Sequence, residues 1–156
     1  MFRELLISIY LMFYKCLFTV FKQFPLRNKI VFVASFRDNN MFVYNELMKK
    51  QFPGEVVFLC TKRISDSFKR AVSEPVYVIE AGRIIDEVKA AYHVMTAKTV
   101  IVDNYYGFLA VADFRKNVEC IQIWHATGAV KNFGLLDTSV ESRPERAKYR
   151  FIQVYR

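Results

Sequence analysis

The chain has 156 residues, 53% hydrophobic and 24% charged, a mixture that supports a packed core and excludes general disorder. Lys and Arg number 23 against 15 Asp and Glu, a net +8, which points to an anionic partner: nucleic acid, an anionic membrane or a phosphorylated substrate. Five Gly and four Pro exclude a collagen-like chain, and three scattered cysteines (Cys16, Cys60, Cys120) exclude a disulfide framework.

The cysteines fit a reducing compartment, with Cys60 and Cys120 read as small core residues inside apolar runs. There is no CxxC pair, so a zinc site of the usual spacing is not expected, and no other metal site is visible in the sequence. The length suits one domain, or one lobe of a larger protein. The positive charge gathers at the two ends. Residues 1–30 hold Arg3, Lys15, Lys22, Arg27 and Lys29 against Glu4 alone; residues 141–156 hold five basic residues against Glu141 and Glu145.

From Leu5 to Phe21 the chain is apolar or aromatic apart from Ser8, Lys15 and Thr19. On a helix, Glu4, Ser8, Lys15, Thr19 and Lys22 share a stripe roughly 60° wide. A helix with a narrow polar stripe, aromatic residues and basic flanks suits a membrane interface. Packing against the rest of the protein is compatible with that reading. Lys15 near the middle argues against a full span, and the aromatic continuation to Phe24 argues against a secretory signal. Pro25 ends the helix.

Apolar runs then alternate with helical patterns. Residues 29–36, 55–60, 75–79, 99–103 and 120–124 read as strands; 41–51, 65–72 and 84–96 read as helices, with a helical turn at 108–112. Asp38-Asn39-Asn40 is expected to cap the first of these helices. In the last, Ile84, Ile85, Val88, Ala91, Tyr92 and Met95 form the expected apolar face. His93, inside that helix, receives no functional reading. Near-continuous apolar strands separated by amphipathic helices indicate an α/β fold, a Rossmann-like lobe with a parallel sheet. The expected organisation is a membrane-associating helix at 1–25, the lobe at 29–140 and a connection beginning at 141–156. The ending Lys148-Tyr-Arg-Phe-Ile-Gln-Val-Tyr-Arg156 carries no closing element, so a fragment of a longer protein is expected.

In open parallel sheets the working site lies beyond the carboxyl ends of the strands. Three such ends carry polar chemistry: Ser35-Phe36-Arg37-Asp38-Asn39, then Asp103-Asn104-Tyr105-Tyr106-Gly107, then the residues from His125 to Lys131. An imidazole at a strand end can act as general base on a hydroxyl. Amides around Gly128 and the Lys131 ammonium can hold phosphate. Asp103 is a candidate to orient His125 or to bind an acceptor, or else a loop-capping residue. Asn104, Tyr105 and Tyr106 are candidates to line an acceptor groove, or else pack as a loop base. Arg37 reads as a phosphate contact or a solvated turn.

The segment Ile121-Gln-Ile-Trp-His-Ala-Thr-Gly-Ala-Val-Lys-Asn-Phe-Gly134 resembles the signature Q-x-W-H-G/A-x-x-x-K-x-x-G of the CDP-glycerol glycerophosphotransferase family of wall teichoic acid synthesis, and its form is most similar to the primases of that family. The resemblance runs from about residue 29 to the end. Ala126 stands where many relatives have Gly. The resemblance implies a GT-B-like enzyme of two Rossmann-like lobes, of which this chain is the first. It implies transfer of glycerol phosphate from CDP-glycerol to an undecaprenyl-diphosphate-linked N-acetylmannosaminyl–N-acetylglucosamine acceptor, with no cofactor beyond the donor substrate. The signature's His falls on His125, which would be the base; beside it, the residues themselves offer Asp103 as a candidate helper and Trp124, Thr127, Gly128, Lys131 and Asn104 as candidates toward substrate and phosphate. It further implies a peripheral protein on the cytoplasmic side of the cell membrane, beside other teichoic acid enzymes. The fragment alone is expected to be inactive.

Three rivals remain at this level. One is a nucleic-acid-binding module, disfavoured because no RNA or DNA motif occurs. The others are a polymerase-type relative using glycerol or ribitol phosphate, and a non-catalytic basic domain at the membrane.

Overall fold

The computed structural model describes residues 2–123. Five parallel strands, β1 (Arg27–Ala34), β2 (Glu55–Cys60), β3 (Val76–Val78), β4 (Ala97–Val102) and β5 (Glu119–Gln122), lie in the order β3-β2-β1-β4-β5. Four helices, α1 (Phe2–Phe21), α2 (Asp38–Lys49), α3 (Lys62–Ala71) and α4 (Ile84–Thr96), and a 3-10 turn at Gly107–Val111 complete the lobe. The strand order reverses between β1 and β4, as in half of a dinucleotide-binding fold, and leaves a crevice at their carboxyl ends.

The apolar runs of β1, β2 and β4 are buried on both faces because helices cover both. On β1, Val31 and Val33 face a core that includes Val57, Leu59, Val94, Val100 and α1. Ile30, Phe32 and Ala34 face the opposite core with Tyr44, Phe58 and Phe68. Phe32 and Phe58 stack at 4.9 Å between centroids across adjacent strands, a pairing that the parallel register sets residue against residue. The turn before β2 requires glycine: a Cβ on Gly54 would lie 2.4 Å from the Asn28 carbonyl oxygen and from the Phe52 ring.

Helix α1 has two apolar sides. Tyr14 and Phe18 are buried, and Tyr14 stacks on Phe108 at 4.8 Å. Phe21 meets Tyr92 of α4 edge-on. Arg115 donates to the carbonyls of Lys22 and Phe24, and Lys22 pairs with Asp113, so the end of the helix is tied to the lobe. Leu5, Leu6, Ile9, Met12 and Val20 stay exposed on the other side. By length and composition α1 is also long and apolar enough to cross a membrane.

Several expectations are corrected. Helix α2 begins at Asp38, so Asn40 is in its first turn rather than before it, and Arg37 occupies the cap without a side-chain bond. Helix α3 begins at Lys62, three residues early, because Thr61 already has the extended backbone of a cap. In α4 the buried face is Glu87, Ala90, Ala91, His93, Val94, Met95 and Thr96. The small Ala90 and Ala91 let the helix lie close to the sheet, while Ile84 and Ile85 in the first turn are exposed. Cys120 is exposed on β5, an edge strand among the described residues, and is not a core residue.

Lys29 does not contribute to a basic surface, because its side chain is wholly buried. Its ammonium donates to Thr96 Oγ1 at 2.8 Å, meets His93 Nδ1 at 3.1 Å and Glu55 at 3.8 Å, and lies over the Tyr92 ring. This cluster joins the starts of β1 and β2 to the end of α4, at the edge of the sheet opposite the crevice. Burial, then Lys29, Arg27 and Lys89, push the His93 pKa down to about 4; Glu55, at 4.0 Å from Nδ1, does not offset them.

That depressed pKa has a definite sign. An unfolded His takes its proton near pH 6.5, whereas the folded one refuses it until about pH 4. The contribution is therefore intact above pH 6.5 and is lost as pH falls toward 4, by up to about 3 kcal/mol. Denaturant unfolding from pH 7.5 to 4.5 is expected to show a steeper acid loss for the natural protein than for His93→Gln, which keeps an acceptor for Lys29 and does not titrate. Parallel curves would contradict this.

Candidate active site at the carboxyl end of the sheet

The crevice is built around Asp103, the first residue after β4, which is fully buried. Its Oδ1 and Oδ2 accept from the Ser35 amide at 3.0 and 2.9 Å, and Oδ2 accepts from the Phe36 amide at 2.8 Å. Asn40 Nδ2 donates to Oδ2 at 2.7 Å and the Tyr106 hydroxyl to Oδ1 at 2.8 Å. Three elements thus converge on one carboxylate: the β1–α2 turn, the first turn of α2 and the loop after β4. Asn40 also donates to the Phe36 carbonyl at 2.8 Å, which closes the turn on itself.

The surrounding groups are held in defined protonation states. The Tyr106 hydroxyl donates its hydrogen bond to Asp103, so Ser35 Oγ, 2.8 Å from the same hydroxyl, is the donor in that contact. Burial first, then the Asp103 charge, raise the Tyr106 pKa far above the usual phenol range, so the hydroxyl keeps its proton. Cys60 ends β2, and its thiol is pushed up to about 12, by burial and then by Asp103. A thiol so buried is inert as a nucleophile.

Of the residues singled out in the sequence, Asp103, Asn104 and Arg37 lie at this crevice. Asp103, buried beneath these donors, is a scaffold for the turn. Asn104 accepts from the Tyr105 amide at 2.8 Å and so shapes its own loop. Arg37 is exposed at the cap of α2. Tyr106 is engaged with Asp103 and Ser35. Trp124, His125, Thr127, Gly128 and Lys131 lie outside the described residues. The strand that leads to them is described: the Ile123 amide donates to the Val102 carbonyl at 2.9 Å, immediately before Asp103.

Two participants escaped the sequence reading. Asn40, which reads as part of a cap in the sequence, binds the buried carboxylate. Arg63 stands at a fourth strand end, after β2, where Thr61-Lys62-Arg63 carry as much polarity as the other three. The available signal was positional: every loop that follows a parallel strand opens on the same edge.

Fold and crevice together define an α/β lobe of the doubly wound, switch-point kind. The chain belongs to the CDP-glycerol:poly(glycerophosphate) glycerophosphotransferase family, whose model matches residues 16–155. It is 34% identical over 146 residues to the teichoic acid glycerol-phosphate primase of Bacillus spizizenii W23, covering 94% of this chain and 38% of that protein. It is 29% identical over 153 residues to the primase of Bacillus subtilis 168, covering 98% and 40%. The teichoic acid poly(ribitol-phosphate) polymerase of B. spizizenii is 33% identical over 122 residues, covering 75% and 17%. The chain therefore spans about two fifths of the length of these primases. The relatives include both glycerol-phosphate primases and ribitol-phosphate polymerases of teichoic acid.

Proposed function

We propose that the full-length protein transfers glycerol phosphate from CDP-glycerol to a lipid-linked disaccharide on undecaprenyl diphosphate, as a primase. A second lobe would close over the crevice in a GT-B-like arrangement and hold most of the donor. In the reaction an acceptor hydroxyl attacks the glycerol-bearing phosphorus of CDP-glycerol. His125 takes the hydroxyl proton, the new oxygen–phosphorus bond forms, and the bond to the CMP oxygen breaks. Lys131 and the amides around Gly128 steady the charge on the phosphoryl oxygens. Trp124, Thr127 and Asn104 border the acceptor, and Asp103 serves by fixing the loops that shape its groove.

The observation that supports this reading most is the docking of β5 beside β4. Ile123, directly after β5, bonds to Val102 next to Asp103, and Trp124-His125 follows in sequence. The identity to a poly(ribitol-phosphate) polymerase supports a second reading, in which the acceptor already carries polyol phosphate.

The membrane side of the proposal rests on α1. Its exposed Leu5, Ile9, Met12 and Val20, edged by Arg3 and Lys15, suit insertion into an anionic cytoplasmic leaflet as a peripheral contact. One vesicle experiment tests both parts. Full-length protein, CDP-glycerol and anionic vesicles carrying unprimed lipid-linked disaccharide are expected to release CMP and label the lipid. Ile9→Glu with Met12→Glu is expected to leave most of the protein in the supernatant. Transfer only to lipid already carrying glycerol or ribitol phosphate would replace the primase reading with the polymerase one.

A further inference from the structure

We propose that Arg63 anchors a phosphoryl oxygen of a substrate at the crevice; the substrate classes named below rest on the transferase reading. Arg63 lies in the first turn of α3, directly after β2, yet its guanidinium reaches across to the end of β1. There it donates to the Ser35 carbonyl at 3.0 Å and lies 5.2 Å above the centre of the Phe36 ring. The carbonyl and the ring hold the planar fork in one place, which lowers the entropy lost when a ligand binds. The side chain is nevertheless exposed.

Its place at a strand end, held by a carbonyl and a ring rather than by a carboxylate, is what recommends it. Lys22, Lys49, Lys62, Lys69 and Arg83 each meet a carboxylate. Among the described residues no carboxylate pairs with Arg63. A guanidinium has five donors and no acceptor, and one carbonyl satisfies only one of them. Ser35, whose carbonyl holds the fork, gives its own amide to Asp103, so the guanidinium stands at the same end of the sheet as that carboxylate. A preorganised fork without an internal anion matches a phosphate or diphosphate bidentately.

The spacing also fits. Ser35 ends β1, and β5 lies two strands away across β4, about 10 Å at the usual strand separation. A substrate whose reacting hydroxyl sits at the end of β5 and whose phosphoryl group sits at Arg63 would lie across the mouth of the crevice. Such a phosphoryl group belongs either to the diphosphate of a lipid-linked acceptor or to the nucleotide donor.

The test uses the full-length protein with Arg63→Gln and Arg63→Lys. For Gln, KM for the acceptor or for CDP-glycerol is expected to rise at least tenfold with kcat changed far less, and the substrate affected names the source of the phosphate. Lys restores part of the loss because it keeps the charge without the fork. Thermal unfolding, shifted by no more than a few degrees, separates this from misfolding. Unchanged KM for both substrates, with the natural protein active, overturns the role of Arg63 and leaves the transferase reading standing. If the natural protein shows no transfer, titration with inorganic pyrophosphate decides: weaker binding by the Gln variant supports the anchor, and equal binding overturns it.

Discussion

Replacing Asp103 with alanine is expected to lower the stability of the lobe by about 3 to 5 kcal/mol. The carboxylate takes four groups at once: two backbone amides, the Asn40 amide and the Tyr106 hydroxyl. Its removal leaves these donors in a site closed to water, and each buried donor without a partner costs about 1 to 3 kcal/mol, with relaxation recovering part. The midpoint of thermal unfolding is expected to fall by about 10 °C. Asp103→Asn keeps the shape but turns an NH2 group toward donors, so it recovers little. Activity is lost in both, because the β1–α2 turn and the loop after β4 no longer share an anchor. A midpoint within 2 or 3 °C of the natural protein would show that the carboxylate is not the scaffold described here.

The strand pattern was readable because burial on both faces leaves unbroken apolar runs, and β2 at Glu55–Cys60 and α4 at Ile84–Thr96 match the sequence reading to the residue. What the pattern could not show is which side of a helix meets the sheet. Ile84 and Ile85 have the right spacing but fall in a first turn that nothing covers, while Glu87 and His93 lie inward. The same limit hid Lys29, whose charge counts equally in a composition whether it is exposed or sealed under Tyr92. Asp103 was legible as a strand-end residue. Its partners were not, because Ser35, Asn40 and Tyr106 come together only through a parallel pairing of β1 with β4 that sequence distance does not disclose. Cys120 was misread for a related reason: a short apolar run reads the same at the centre of a sheet and at its edge.

His125 carries the chemical claim. A hydroxyl in water is too weakly acidic to attack phosphorus rapidly, and a neutral imidazole positioned to take its proton contributes typically 10²–10⁴-fold. A glutamine at this position preserves size and hydrogen bonding but cannot act as a base at neutral pH. In the full-length protein, His125→Gln is therefore expected to lower kcat for CMP release by about 10²–10⁴-fold, with KM for CDP-glycerol little changed. The measurement is the rate of CMP release from CDP-glycerol, made with and without lipid-linked acceptor on natural and His125→Gln protein of matched unfolding midpoint. The account predicts acceptor-dependent release that collapses in the variant. Release that persists at the natural rate in His125→Gln would contradict it.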